Sequence, residues 1–362
     1  MWGAEMILPF SIVNPLTRIE VVRQLPQPGK VLVRERDNVE TFHWVAEYTP
    51  PPQFAIINVS RELAVPPKKL SPYLEVAVGD AVAEGAVLAS RGGLGGRACR
   101  APFAGTVTGS GRGRLLLEAP SRPVQISALV PGIVARVLPG EGAVIQAWGA
   151  LIQGVWGNGK EIFGVLRVVA RGAHQSLRAK KLDASLQGAV VVGGSSCDEE
   201  ALEQAAEMQI GGLIVGGVSP QLIPRLMEMP FPVVATDGVG KVSMSEAIFK
   251  LLRSLEGREA ALSGRMPDLH RPAWSRLGDV ERPYVAVPMP AQNGTVVDRN
   301  TPLTLGSRVR ALRQPYMGMS GVVVDIPPGL VLLETGARRP CVKVEFEGET
   351  VLIPYANLEL LL

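Results

Sequence analysis

From Gly306 to its end the chain reads GSRVRALRQPYMGMSGVVVDI and, a little further on, CVKVEFEGETVLIPYANLELL. No other stretch restricts the fold as tightly. Val309 and Ala311 alternate with Arg308, Arg310 and Arg313, and Val322, Val323, Val324 and Ile326 form a β-branched run. Period-two alternation and β-branched residues mark strands that pack on one side. Gly318 and Gly321 punctuate the turn between them, where positive φ or close backbone approach costs only glycine little. The pattern predicts a small β-barrel over residues 306–362.

The order Val309, Arg310, Pro315, Tyr316, Gly318, Gly321, Val322 and Val323 resembles the KOW motif. That motif occurs in the SH3-like C-terminal domain of NusG and in several ribosomal proteins. The resemblance implies an interaction module that binds a protein or RNA and does not catalyse. Arg308, Arg310, Arg313 and Tyr316 on one strand and its turn, with Arg338 and Arg339 at a hairpin tip, are the residues expected to meet that partner. A solvated polar face produces the same arginine spacing. The N-terminal α/β domain of NusG-like proteins has no counterpart ahead of this barrel, so a role in transcription elongation is not implied.

The N-terminal half repeats itself. In KVLVRERDNVETFHWVAEY, Val31, Val33, Asp37, Val39, Val45 and Ala46 occur in the same order as Val76, Val78, Asp80, Val82, Leu88 and Ala89 of YLEVAVGDAVAEGAVLAS. Each copy reads as strand, acidic turn, valine, second strand. With APFAGTV from Ala101 and PGIVARV from Pro131, the pattern resembles the lipoyl/biotinyl-like barrel-sandwich hybrid over roughly residues 20–168, within a domain placed at 1–170. Carriers of that family attach their cofactor to a lysine at a hairpin tip. Here the tip reads SRGGLGGRACRAP, with Arg91, Arg97 and Arg100 and no lysine. A guanidinium stays protonated and cannot form the amide, so no cofactor is expected.

Residues 180–264 have an α/β rhythm. GAVVVGGSS, IGGLIVGGVS and PFPVVATDGVG read as buried strands, with CDEEALEQAAEMQ, PQLIPRLMEM and SMSEAIFKLLRSLEG as helices between and after them. Asp198 is the expected N-cap of the first helix, and Ala201, Leu202, Ala205 and Met208 share one face. This spacing predicts a parallel sheet with right-handed crossovers. Ligands of such sheets gather at the carboxyl ends of the strands. Those ends carry Gly193, Gly194, Ser195 and Ser196, then Gly216, Gly217 and Ser219, then Asp237 and Lys241. Small residues, helix amides and two charges suit a small anionic ligand. Glycines that end strands and polar residues that cap helices give the same pattern without any ligand, and no full GxGxxG or P-loop is present.

Cys197 at a helix start would have a lowered pKa if exposed. His43, His174 and His270 lie outside this unit and have no metal-ligand spacing. Residues 265–305, with prolines at 267, 272, 283, 288, 290 and 302, read as an extended connector that adds at most an edge strand at PYVAVPM.

The fold class expected is multidomain, β-rich plus α/β: a barrel-sandwich hybrid, a small parallel α/β domain and an SH3-like barrel. Thirty-seven Lys and Arg against 34 Asp and Glu leave a net charge of +3, which points neither toward nor away from nucleic acid. Three widely spaced cysteines form no disulfide framework, and the cytoplasm is the expected location. The longest uncharged stretch, Gly142 to Gly159, is too polar and glycine-rich for a membrane span. Two function classes remain open from the residues: a non-enzymatic binding or scaffolding protein, and an enzyme or enzyme subunit working at the strand ends.

Overall fold

The computed structural model describes residues 10–92, 96–240, 242–266, 282–290, 294, 296–297, 301–333, 336–346 and 348–362. It is β-rich, with several sheets. The largest has eleven strands and is organised around Gly142–Gln153, whose GAVIQAWGALIQ is buried along almost its whole length. The first twelve residues of the uncharged stretch noted above are therefore a strand covered on both faces, which is why its apolar residues do not alternate with polar ones. It pairs antiparallel with Val13–Gln24 along most of its length, and also with Gly132–Leu138 and Tyr284–Pro288.

Glu161–Val168 is the seam of this sheet. One of its edges runs parallel to Val190–Val192, which continues through Gly212–Val218 to Val233–Val239. Its other edge runs antiparallel to Glu259–Ser263. The sheet therefore passes without a break through the expected domain boundary at residues 170–180. Helix Glu199–Glu207 starts where the Asp198 carboxylate accepts the Ala201 amide at 2.9 Å, and buries Ala201, Leu202 and Ala205. This helix and Ile223–Glu228 cover one face of the parallel strands through Val191, Leu213 and Val215. Helix Glu246–Ser254 covers the other face through Ile248, Phe249 and Leu252 against Val190, Val192 and Ile214. Each such aliphatic side chain stabilises by about 1.5–3 kcal/mol on burial.

Tyr284–Pro288 corrects the reading of 265–305 as a connector with at most an edge strand. It pairs with Glu259–Ser263 on one side and Gly142–Gln153 on the other, and Tyr284 to Val287 are buried. Pro283 and Pro288 bracket four residues whose amides are intact, so the prolines never interrupt the ladder. Gly149, opposite Pro288, admits the crossing: a Cβ there would lie 2.1 Å from the Val287 carbonyl oxygen.

Asn158 pins this sheet to the helix and loop ahead of Val233–Val239. Its side-chain amide donates to the Leu226 and Phe231 carbonyls at 3.0 Å each, and its oxygen accepts the Val233 amide at 3.0 Å. Asn158→Ala is expected to cost about 2 kcal/mol, because the three groups stay buried without partners. A thermal melt of the full chain measures it.

The sequence repeat is also a structural one. Asp37 and Asp80, 43 positions apart (80 − 37), accept the amides of Arg34 and Ala77 at 2.7 and 2.8 Å. The Val134 and Val107 amides then donate to the Asp37 and Asp80 carbonyls at 2.9 Å in both copies. The turn residues Arg36 and Gly79 both have positive φ, at 71° and 102°. Arginine is the poorer fit there, so Arg36→Gly is expected to be neutral or to stabilise by a few tenths of a kcal/mol, readable in the same melt.

The second copy lies in a lobe with its own core, in which Leu63, Leu88, Cys99, Val107, Leu115 and Leu117 are buried together. The lobe is inserted between Trp44–Tyr48 and Val124–Ser127, which pair with each other.

The last unit contains Arg308–Ala311, Ser320–Asp325, Leu330–Leu332, Arg338–Phe346, Glu349–Pro354 and Leu358–Leu361 around Val309, Val323, Val342, Val344, Phe346 and Leu360. Phe10–Ser11 adds a parallel strand to Leu358–Leu361, so the first described residues complete the last unit. Among the described residues, no helix is long and apolar enough to cross a membrane.

Candidate functional site at the strand ends

The three glycine-bearing loops converge. The Gly216 amide donates to the Gly194 carbonyl at 2.8 Å, and the Gly217 amide to the Ser195 carbonyl at 2.7 Å. The Ser245 amide, at the start of the last helix, donates to Asp237 at 3.2 Å. The space above the glycines is filled by the chain itself. A Cβ on Gly216 would lie 2.1 Å from the Met244 amide nitrogen, one on Gly217 2.6 Å from the Val242 carbonyl oxygen, and one on Gly194 2.2 Å from the Gln175 carbonyl oxygen. Glycine is required at these positions so that loop backbone can lie against strand backbone, which is the closeness a bound phosphate would otherwise use.

The polar side chains are similarly engaged. The Ser176 hydroxyl lies 3.2 Å from that of Ser195 and 2.9 Å from that of Ser196. Ser219 donates to Gln221. Lys241 lies outside the described residues.

Asp237 meets Arg310. This arginine is 1% exposed and donates to the Asp237 carboxylate at 3.1 Å, the Thr236 carbonyl at 2.9 Å, the Ser11 hydroxyl at 3.3 Å and the Glu359 carboxylate. Ser11 donates to Glu359 at 2.8 Å, and Arg282 reaches Glu359 at 3.4 Å from the half-exposed rim. Burial pushes the Asp237 carboxyl above the usual range, while Arg310, the Thr236 hydroxyl and the Ser245 amide pull it back. Glu359 and Asp237 together keep Arg310 charged.

Arg310 therefore corrects the expectation of an outward arginine on the last unit. Alternation does turn it away from the core side that Val309 occupies, but that outer side is the face docked on the parallel sheet. The same docking appears in the turns: Gly238 lies under Met317, and a Cβ on Gly318 would come within 2.6 Å of Val242. Ser11 and Glu359 did not stand out in the sequence reading. The available signal was Glu359 itself, a single acid in the apolar run LELLL.

The other expected partner residues are dispersed. Arg308, Arg313, Arg338 and Arg339 are exposed, and Tyr316 is half-buried and stacked on Phe346 at 5.6 Å. Arg308 faces Val322, which faces Glu345, and Arg338 is seven residues from Glu345 along its strand. At about 3.3 Å per residue those seven residues span about 23 Å of strand, so Arg308 and Arg338 stand toward opposite ends of it and do not share one patch.

Cys197 is half-buried, and burial, helped by Asp198, pushes its thiol up to about 12. This reverses the lowering expected for an exposed thiol at a helix start, because desolvation of the thiolate outweighs the helix terminus. Iodoacetamide at pH 8 is expected to label native Cys197 at least tenfold more slowly than the urea-unfolded chain, as read by mass spectrometry. A comparable rate would mean that the thiol is open to solvent.

His43 lies in the turn before Trp44–Tyr48, where its Nδ1 accepts the Glu40 amide at 3.0 Å, and His174 lies 3.8 Å from Glu246 at the surface. His270 is outside the described residues. Among the described residues, no group of three or more His, Cys, Asp and Glu side chains is placed to hold a metal. No protein-family model and no curated protein matches the chain.

Proposed function

We propose that this chain is a non-enzymatic binding or scaffolding protein whose last unit, a KOW/SH3-like barrel, contacts a protein or RNA partner. What supports this is the way the strand ends are filled. Backbone covers the glycines, and Arg310 of the last unit takes the Asp237 carboxylate that a ligand would have used. The faces left open point outward. Val322, Val324, Leu330 and Leu332 of the last unit are between 41% and 62% exposed, beside Arg308 and Arg338. Aliphatic side chains bordered by arginines suit a protein partner better than a phosphate backbone, which calls for a cationic patch. The N-terminal half, read as an unmodified barrel-sandwich hybrid, serves as scaffold. The three free thiols fit a reducing compartment such as the cytoplasm.

The test is affinity capture from native lysate with the full chain and with the surface variant Leu330→Asp/Leu332→Asp, each with and without nuclease. Partners that the variant loses and nuclease spares are the expected result. Loss on nuclease treatment, with steep salt dependence, would identify RNA as the partner. Identical partner lists for both chains would overturn the assignment to this face.

A further inference from the structure

The sheet of the inserted lobe ends on Phe54–Ile57, which is paired on one side only, with Arg114–Glu118. Among the described residues, no backbone hydrogen bond reaches its other edge. Proteins usually blunt such an edge with charge, proline or a covering element. This one instead presents Phe54 and Ile56, 54% and 69% exposed, two positions apart and so on one face.

That face continues inward as a trough. Ile56 lies opposite Leu116, and Leu116 opposite Gly109, whose missing side chain leaves the floor low. The resulting groove has a volume of about 530 Å³ and carries Arg112 and Arg114 at one end. Neither arginine has an acidic partner among the described residues. Their hairpin is held in place from below: the Gly113 carbonyl accepts the Ser60 amide at 3.0 Å, and Gly113, at φ +79°, lies against Ser60 and Pro67. Beyond its other end, further along the same two strands, Phe54 lies opposite Glu118, so the edge runs from a cationic hairpin to an acidic residue.

We propose that this edge and groove accept an extended segment of a partner protein, with small β-branched side chains over Ile56 and Leu116 and acidic residues beside Arg112 and Arg114. An added strand gains main-chain hydrogen bonds from the open edge, while side chains on one face of the segment fill the trough. Charge sets the direction: acids at the Glu118 end would be repelled, and at the arginine end they neutralise two free cations. This surface is separate from the face of the last unit proposed above, and neither assignment requires the other.

The probe is a fluorescein-labelled peptide, Thr-Val-Thr-Val-Asp-Asp-Glu, titrated with the full chain at 50 mM salt and followed by polarisation. The controls are Thr-Val-Thr-Val-Lys-Lys-Lys and an oligouridylate of equal length. The acidic peptide is expected to bind at least tenfold more tightly than the lysine version. Arg112→Glu/Arg114→Glu, confirmed folded by its melt, is expected to weaken it at least tenfold, and Ile56→Asp likewise. Amides of residues 54–57 are expected to exchange several-fold more slowly when the peptide is bound, which face-only contact would not produce. Equal binding of the two peptides, an unchanged affinity in the double arginine variant, unprotected edge amides or preference for the oligouridylate would each overturn the proposal.

Discussion

Arg310→Met in the full chain is expected to lower the unfolding free energy by about 3–5 kcal/mol, the cost of removing one partner from a buried ion pair. The methionine fills most of the arginine's volume, so the loss comes chiefly from electrostatics. Asp237 and Glu359 remain buried at 5% and 2% exposure without the guanidinium between them, and the Thr236 carbonyl loses its donor. Urea unfolding followed by tryptophan fluorescence measures the change. A loss below about 1 kcal/mol would mean that the network behaves as a solvated surface pair.

The deficit has a pH dependence whose sign follows from linkage. Without Arg310 the folded-state pKa of Asp237 lies further above its unfolded value, so folding takes up a proton as pH falls through that range. The variant is therefore expected to recover stability relative to the parent chain as pH falls from neutral toward the ordinary carboxylate range. Adding Asp237→Asn and Glu359→Gln to Arg310→Met removes the uncompensated Asp237 charge and the Glu359 charge left with Arg282 alone, and is expected to restore part of the loss at neutral pH. A triple variant no more stable than the single one would assign the loss to packing.

Gly216→Ala is expected to cost about 3 kcal/mol, the upper end of what overpacking does. The added methyl would meet the Met244 amide nitrogen at 2.1 Å, Met244 Cα at 2.5 Å and the Ser243 carbonyl carbon at 2.6 Å, all of them backbone. No rotamer change relieves a contact of that kind. The segment pushed away carries the Ser245 amide that donates to Asp237, so amides at the start of helix Glu246–Ser254 should exchange faster in the variant. Gly172→Ala is the control: nothing lies within 4 Å of its Cβ position, and it is expected to stay within about 0.5 kcal/mol of the parent chain. If Gly216→Ala proved as mild as the control, the loop would be free to lift, and the strand ends would again be open to a ligand.

Much of the local structure was legible because it depends on neighbours in the chain. Strand and helix alternate in 188–254 as periodicity indicated, with Asp198 capping its helix, because burial on a covered strand and amide capture at a helix start are nearest-neighbour chemistry. The repeat was legible for the same reason: an acid three residues after an amide can close the same turn at Asp37 and at Asp80. What depends on packing between distant segments was not. Nothing local to PYVAVP says that strands supplied by residues 142–153 and 259–263 will lie on both of its edges.

The candidate site divides along the same line. That small residues and one aspartate gather at the ends of the parallel strands follows from local chemistry, because those residue types end strands and start helices. Strand alternation likewise turns Arg310 away from the Val309 side of its own strand. What those features meet depends on the tertiary structure. It brings the last unit onto the strand ends, so that Arg310 neutralises Asp237 and Glu359, residues 73 and 49 positions away in the chain, and loop backbone fills the space the glycines leave. Burial of a charge depends on the whole arrangement around it, and no local pattern encodes which distant carboxylate will compensate it.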